Sequence, residues 1–279
     1  MLLLLPPSEA KTPGGDGPPL GACPELSTPD LAEARAVLMG AIRRAADRRK
    51  AALATGLKLP PGLASEALVA DRQVATAPTR PALDRYAGVV FASLDAPTLT
   101  AAARRRAESQ VLVFSGLWGV VRGGDQVPDY RVPASGTVPG LGGVTAHWRG
   151  PLAEVLPGLV GDEPVLDLRS GDYVAMWRPD HDLRPQVVSV RVLAERGTGA
   201  AHTVGPVSYH AKWVKGLLAR HLLAGRRRPR TARDLVAAVG AAADALDLRV
   251  EERGTRAAPA LDLVGRYPSS TALSGPAQR

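Results

Sequence analysis

Four consecutive leucines, Leu2 to Leu5, run straight into Pro-Pro and then into Ser-Glu-Ala-Lys-Thr. An unbroken apolar run stopped by proline reads as a buried strand, because proline donates no backbone hydrogen bond and cannot continue a ladder. The turn behind it displays a hydroxyl (Ser8), a carboxylate (Glu9) and an ammonium (Lys11). That layout fits either an ordinary loop or a site built at the end of a strand.

At 279 residues and 45% hydrophobic content, the chain can bury one large core or two small ones, so a soluble globular protein is expected. The opening run is too short for a signal-peptide core and has no basic flank. No later apolar run approaches the roughly 18 residues of a membrane span, so a cytoplasmic location with no membrane partner is expected. Cys23 is the only cysteine, which excludes an internal disulfide and a thiolate cluster. It lies in a Pro/Gly-rich loop, where a reactive role is not favoured.

The net charge of +8 invites a nucleic-acid reading. It comes from 30 arginines and five lysines beside abundant Ala, Gly and Pro, a pattern that GC-rich codon usage produces unaided. Arg104 to Arg106 and Arg226 to Arg228 therefore read as solvated helix ends. Lysine is the informative cation. Three of the five fall in two polar motifs: Lys11 in the opening stretch, Lys212 and Lys215 in "SYHAKWVKG".

After a Gly/Pro-rich loop, residues 13–24, a helix is expected from a Thr28 cap, with Pro29 in its first turn, to Gly56. Further helices are expected from about Ala82 and over Pro97 to Glu108. "VLVFSGLWGVV" then reads as a buried strand broken by Ser115-Gly116 and Gly119. "QVPDYRVP" is an extended piece carrying Asp129, Tyr130 and Arg131. A short helix near His147 to Leu156 precedes a strand over Val165 to Leu168, with Ser170 to Asp172 capping the next helix. Pro185 to Glu195 and His202 to Ser208 pair as a hairpin around Arg196-Gly-Thr-Gly. Helices over Tyr209 to Leu223 and Thr231 to Ala245 follow, then strands Leu248 to Glu252 and Ala260 to Val264. The order implies one mixed α/β (α+β) domain over residues 1–267 around a single sheet, with a disordered tail over 268–279. A monomer is expected.

Four polar clusters, "PPSEAK", "PDYR", "SGDY" and "SYHAKWVK", each fall where a strand ends or a helix begins. Such places present functional side chains from a rigid scaffold. Ser8, Lys11, Asp129, Arg131, Asp172, Tyr173, His210 and Lys212 are accordingly expected to line one concave pocket.

With "LLLLPPSEAKT", "YAGVVFASL", "FSGLWGVVRGGDQVPDYRV", "LDLRSGDYVAMW" and "SYHAKWVKGLLARHLL" in this order, nearly the whole chain resembles the YaaA family of bacterial peroxide-stress proteins. It departs at Ala10, where relatives often have Gly, at Trp118, where Tyr is common, and at Lys215, where Arg is common. The resemblance implies that family's mixed α/β fold, a positively charged cleft, non-specific DNA binding through a helix-hairpin-helix-like element, and a role in limiting iron-driven oxidative damage. The hairpin candidate is Ser115 to Gly119, whose backbone amides can face a phosphate, with Ser115, Gly116, Gly119 and Arg122 as the DNA-contacting residues; by spacing alone a structural turn is the favoured reading of that stretch.

A second function class stands beside it: an enzyme acting on a nucleobase or nucleoside in the same pocket. Crowded lysines, Lys11, Lys212 or Lys215, can lose protons and act as base or nucleophile. Asp129, Asp172 and His210 offer proton transfer. Ser8, Tyr130, Arg131, Ser170, Tyr173, Tyr209, Lys212 and Lys215 are the candidate ligand-binding residues. The ordinary alternative for each remains a helix cap, a surface pair or a helix-face residue. The five histidines show no paired metal-ligand spacing, and Walker and dinucleotide glycine patterns are absent, so no metal, ATP, NAD or flavin is expected.

Overall fold

The computed structural model describes residues 1–22, 26–197 and 203–267. The leucine run forms strand β1 (Leu2–Leu5), buried at every position. Helices α1 (Ala32–Arg48), α2 (Lys50–Gly56) and α3 (Ala64–Gln73) follow, then β2 (Arg80–Pro81), α4 (Ala82–Arg85), α5 (Val89–Leu94) and α6 (Ala101–Gln110). A buried hairpin, β3 (Val111–Ser115) and β4 (Gly119–Arg122), leads through β5 (Gln126–Val127), β6 (Thr137–Val138) and β7 (Gly142–Gly143) to α7 (Val144–Val160). The remainder comprises β8 (Val165–Asp167), α8 (Gly171–Val174), β9 (Val187–Arg196), β10 (Thr203–Pro206), α9 (Tyr209–Ala224), α10 (Ala232–Asp244), β11 (Arg249–Glu252) and β12 (Ala260–Gly265).

Eight strands form one mixed sheet in the order β11-β12-β9-β8-β1-β3-β4, with β10 paired to β9. Five neighbours, β12, β9, β8, β1 and β3, run parallel, and antiparallel strands β11, β4 and β10 flank them. β1 sits inside, with Leu3 opposite Val111 on one side and Leu166 on the other. A strand enclosed this way needs apolar side chains on both faces, which is why its leucines do not alternate with polar residues.

Two expectations are corrected. The helix read from Thr28 to Gly56 is divided: a 3-10 turn over Pro29–Leu31 precedes α1, and Arg49, at φ −141°, separates α1 from α2. Thr28 makes no cap. Its hydroxyl donates to the Val120 carbonyl (3.2 Å) and accepts from Arg35, a buried arginine that also donates to the carbonyls of Trp118, Thr28 and Val120. "VLVFSGLWGVV" is not one interrupted strand but two antiparallel ones, with Ser115 opposite Gly119. Helix α7 is longer than read and passes through Pro151 and Pro157. Helix α3 had no clear sequence signal. At α10, Thr231 and Asp234 form a reciprocal capping box. Cys23, the turn of the β9–β10 hairpin and the expected tail lie outside the described residues.

Gly119 is where backbone freedom decides the hairpin. Its φ is +72°, and a Cβ there would lie 2.7 Å from the Trp148 ring. Gly119→Ala therefore combines a left-handed backbone penalty with a clash in a closed core, and is expected to lower stability by roughly 2–5 kcal/mol. A urea melt checks this; an unchanged midpoint would mean that the turn relaxes at no cost.

Candidate functional site

The parallel strands β1, β3 and β8 share one direction, so their carboxyl ends open at one edge of the sheet. Crevices at such edges are where open α/β sheets hold ligands. Two adjoining hollows lie there. The larger, about 560 Å³, is walled by Ser8, Glu9, Ser135, Ser170, Asp172, Tyr173, Ser208, Lys212 and Lys215 among others. The smaller, about 110 Å³, is walled by Lys11, Lys58, Tyr130 and Arg131, and shares Ser8, Glu9, Pro133, Ser135 and Tyr173 with the first.

The β1 turn is fixed from within and from below. Ser8 Oγ donates to the Ala10 carbonyl at 2.5 Å. Buried Arg85 donates to the carbonyls of Thr12, Gly14 (2.7 Å), Pro78 (3.1 Å) and Val127 (3.0 Å), fastening the strand-end loop to α4 and β5. Lys11 Nζ donates to the carbonyls of Ser8 (3.2 Å) and Glu9 (3.4 Å) and lies 4.2 Å from the centre of the Tyr130 ring. That ring is immobilised by its hydroxyl, which shares hydrogen bonds with Tyr86 Oη (2.7 Å) and Ser115 Oγ (2.6 Å). Burial drives the Lys11 ammonium down to about 8; Asp129 and Asp71 pull it up, and Arg131 and Arg85 push it further down.

Asp71, on α3, is the residue the sequence reading missed. It is 3% exposed. Its Oδ1 accepts the Arg131 backbone N–H at 2.7 Å, while Oδ2 is buried with no partner. Burial pushes this carboxyl up to about 7, against the Arg131 hydrogen bond and the Lys11 charge. The signal was an acid within an apolar stretch, Leu68-Val69-Ala70-Asp71, but without α3 that pattern had no face to belong to.

The β8 side is pinned by an ion pair. Buried Arg169 grips Asp167 with two hydrogen bonds (2.9 and 2.7 Å) and donates to the carbonyls of Tyr173 and Trp177. Lys215 Nζ donates to the Arg169 carbonyl at 3.0 Å, and burial lowers its pKa, with Asp167 opposing. Lys212, one turn earlier on α9, is exposed.

The structure thus brings together most of the expected set. Ser8 and Tyr173 line both hollows; Lys11, Tyr130 and Arg131 line the smaller; Ser170, Asp172, Lys212 and Lys215 line the larger. Three residues line neither. Asp129 accepts the Tyr130 N–H at 2.7 Å. His210 is buried and stacked on Tyr267 at 4.6 Å, and Tyr209 stands exposed with its edge toward His210. Of the two readings of Ser115, Gly116 and Gly119, the structure shows the structural turn and not amides open to a phosphate. All three are buried, and the Ser115 hydroxyl accepts the N–H groups of Leu117 (3.2 Å) and Trp118 (3.0 Å). Arg122 is turned to the Ser109 carbonyl. Nor are Arg104 and Arg106 solvated helix ends: Arg104 clamps Asp84 with two bonds (2.7 and 2.6 Å), and Arg106 grips the Leu223 carbonyl. Among the described residues no three metal-ligating side chains gather into a metal-holding group. No described helix is long and apolar enough to cross a membrane.

The family model for the peroxide stress protein YaaA matches residues 1–239. The chain belongs to the YaaA family. A UPF0246 protein of Streptomyces coelicolor is 44% identical over 86% of this chain and 89% of its own length. Relatives in Corynebacterium efficiens and Corynebacterium glutamicum are 40% and 34% identical, over 83% and 87% of this chain and 89% and 93% of theirs. In this YaaA-family chain the quoted motifs at the ends of β1 and β8 and at the start of α9 are the ones that wall the crevice.

The raised Asp71 carboxyl has a stability consequence. A carboxyl raised from its unfolded value to about 7 holds its proton more tightly when folded, so its contribution is complete below about pH 4 and is lost as pH rises through 7. Asp71→Asn keeps the acceptor for the Arg131 N–H and removes the titration. The stability of the variant relative to the parent should therefore shift in the variant's favour between pH 5 and pH 7.5, read from paired urea melts. A pH-independent difference would mean that Asp71 is ionised throughout.

Proposed function

We propose that this protein serves the peroxide-stress response by binding DNA without sequence preference, taking one nucleotide unit into the crevice at the strand ends, and so limits iron-driven damage. The observation that carries this reading is a cluster of exposed, unpaired cations on the segment that precedes one wall of the crevice. Arg43, Arg44, Arg48, Arg49 and Lys50 are exposed at the end of α1 and the start of α2, and among the described residues their side chains make no hydrogen bond or ion pair. The chain from them runs through α2 into Leu57, Lys58, Leu59 and Pro60, which wall the smaller hollow. Unpaired surface cations suit phosphate, whose neutralisation releases counterions. The larger hollow has the volume of a small-ligand site, not of a duplex channel.

A second reading, a reaction on a nucleobase or nucleoside in the same crevice, is favoured by one observation. Lys11 and Asp71 both titrate near neutrality, at about 8 and about 7, which suits proton transfer.

Fluorescence anisotropy with a labelled duplex tests the binding. If about four phosphates are contacted, affinity falls roughly 100-fold between 50 and 200 mM salt. Replacing Arg43, Arg44, Arg48 and Arg49 with Gln should flatten that dependence. Lys212→Arg should leave affinity within about threefold, since a phosphate accepts either cation. Affinity indifferent to salt, or no binding at low salt, would remove the DNA reading. Loss of peroxide protection in the Arg variant with DNA affinity intact would favour the enzyme.

A further inference from the structure

We propose that Lys11 is a nucleophilic amine that forms an imine with an aldehyde borne next to a phosphate, either a free sugar-phosphate or an abasic site in DNA. The proposal rests on the reading of the crevice as a site for a phosphate-bearing ligand and names the chemistry done there. Lys11 lines the smaller hollow, where a ligand can reach it. A neutral amine has two hydrogens, and Lys11 Nζ has two acceptors, the carbonyls of Ser8 and Glu9. No carboxylate makes an ion pair with it among the described residues, and aromatic faces lie on its other side, Tyr130 at 4.2 Å and Tyr86 at 5.8 Å. Burial of the ammonium lowers its pKa to about 8, so a fraction of Lys11 is neutral near neutral pH, and a neutral lysine is a nucleophile.

The surroundings choose the electrophile. Arg131, paired with Glu9 at 3.9 Å, and Lys58 share the smaller hollow with Lys11 and offer positive charge to an anion, while Ser8, Ser135 and Tyr173 pass from that hollow into the larger one, where Lys212 and Lys215 lie beside Asp172. A carbonyl carbon with a phosphate a few bonds away fits this division. In the reaction the amine nitrogen attacks the carbonyl carbon, and the π electrons move to oxygen, which takes a proton from water. The nitrogen passes one proton to the hydroxide so formed, which gives a carbinolamine. Its hydroxyl takes a proton from water and departs as water while the nitrogen lone pair forms the C=N bond, and the nitrogen gives its second proton to the remaining hydroxide, leaving the imine. No oxidant or reductant is needed, and the step reverses by adding water.

Sodium cyanoborohydride traps an imine by delivering hydride to its carbon, which gives a permanent secondary amine for the test. The full-length protein is incubated with reductant at pH 7.5 in two arms, one with glyceraldehyde 3-phosphate and one with a duplex carrying a single abasic site, and every modified lysine is located by peptide mass spectrometry. With Lys11 at about 8 and an ordinary lysine near 10.5, the neutral fraction favours Lys11 by about two orders of magnitude. Lower intrinsic nucleophilicity reduces that to a preference of roughly tenfold over Lys50 in the same sample. Labelling at Lys11 should rise through pH 8, where burial first, then the charges of Asp129, Asp71, Arg131 and Arg85, set its titration, and Lys11→Met should abolish it. Adducts in the first arm alone identify a free sugar-phosphate; adducts in the second alone identify abasic DNA. Labelling at Lys11 no greater than at Lys50 in both arms overturns the proposal. Both lysines are compared within the parent protein, so the outcome stands even if Lys11→Met fails to fold. An intact duplex is titrated by anisotropy without reductant in parallel: binding without an adduct defeats the imine alone, and absence of both defeats the binding reading as well.

Discussion

The position of β1 in the middle of a parallel sheet, closed by two prolines, is the constraint on which the crevice depends. Each fully buried leucine contributes about 1.5–3 kcal/mol, so Leu2 to Leu5 hold the strand firmly between β3 and β8. The Leu4 carbonyl still accepts a bond from the Leu168 N–H at 2.9 Å, but Pro6 and Pro7 have no N–H to extend the ladder. The chain must leave the sheet there, beside the ends of β3 and β8. Ser8, Glu9 and Lys11 are thereby delivered to the same edge as Ser170 and Asp172. A rule of backbone hydrogen bonding thus gathers residues separated by most of the chain.

Arginine does two unlike jobs in this protein, and composition cannot distinguish them. Arg35, Arg85, Arg169 and Arg220 each donate to two or more backbone carbonyls, Arg106 donates to that of Leu223 alone, and Arg104 clamps Asp84. These guanidiniums act as struts, since a planar fork can satisfy more than one backbone carbonyl at once. Their charge is not available to a partner. The exposed, unpaired cations concentrate instead at Arg43 to Lys50 and at Arg226 to Arg228. The excess of positive charge therefore overstates the attraction of the whole molecule and understates that of the α1–α2 end.

Periodicity and punctuation exposed most of the fold in the sequence. The Thr231 cap located α10, the Val165 run located β8, and the alternation around Arg196 located β9 and β10, because each signal lies within a few residues of what it specifies. What escaped was long-range. Thr28 looks like a cap until Arg35 and Val120 compete for its hydroxyl. The turn from Ser115 to Gly119 looks like an exposed phosphate cradle until Trp148 and Tyr130 cover it. In the crevice, the polar clusters at strand ends were legible, since sheet topology alone brings them together. Asp71 and Tyr86 were not, because their importance comes from what buries them. His210 was misread for the converse reason: a polar motif does not disclose which of its members turns inward to stack on Tyr267.

The cause of the depressed Lys11 pKa matters more than its value. Crowding by other lysines was the expected cause, yet burial is the largest influence on Lys11, and no other lysine is among the named ones. Lys215 is likewise shifted first by burial, and its Nζ is bound to the Arg169 carbonyl. Repulsion between exposed ammonium groups is screened within a Debye length of about 8 Å at physiological salt. Desolvation is not, since it arises from the missing water itself. The burial contribution at Lys11 is therefore insensitive to salt, whereas the Arg43 to Lys50 surface weakens as salt rises. The two halves of the proposed site thus answer to different physics: the approach is electrostatic and adjustable, and the amine at its end is set by packing.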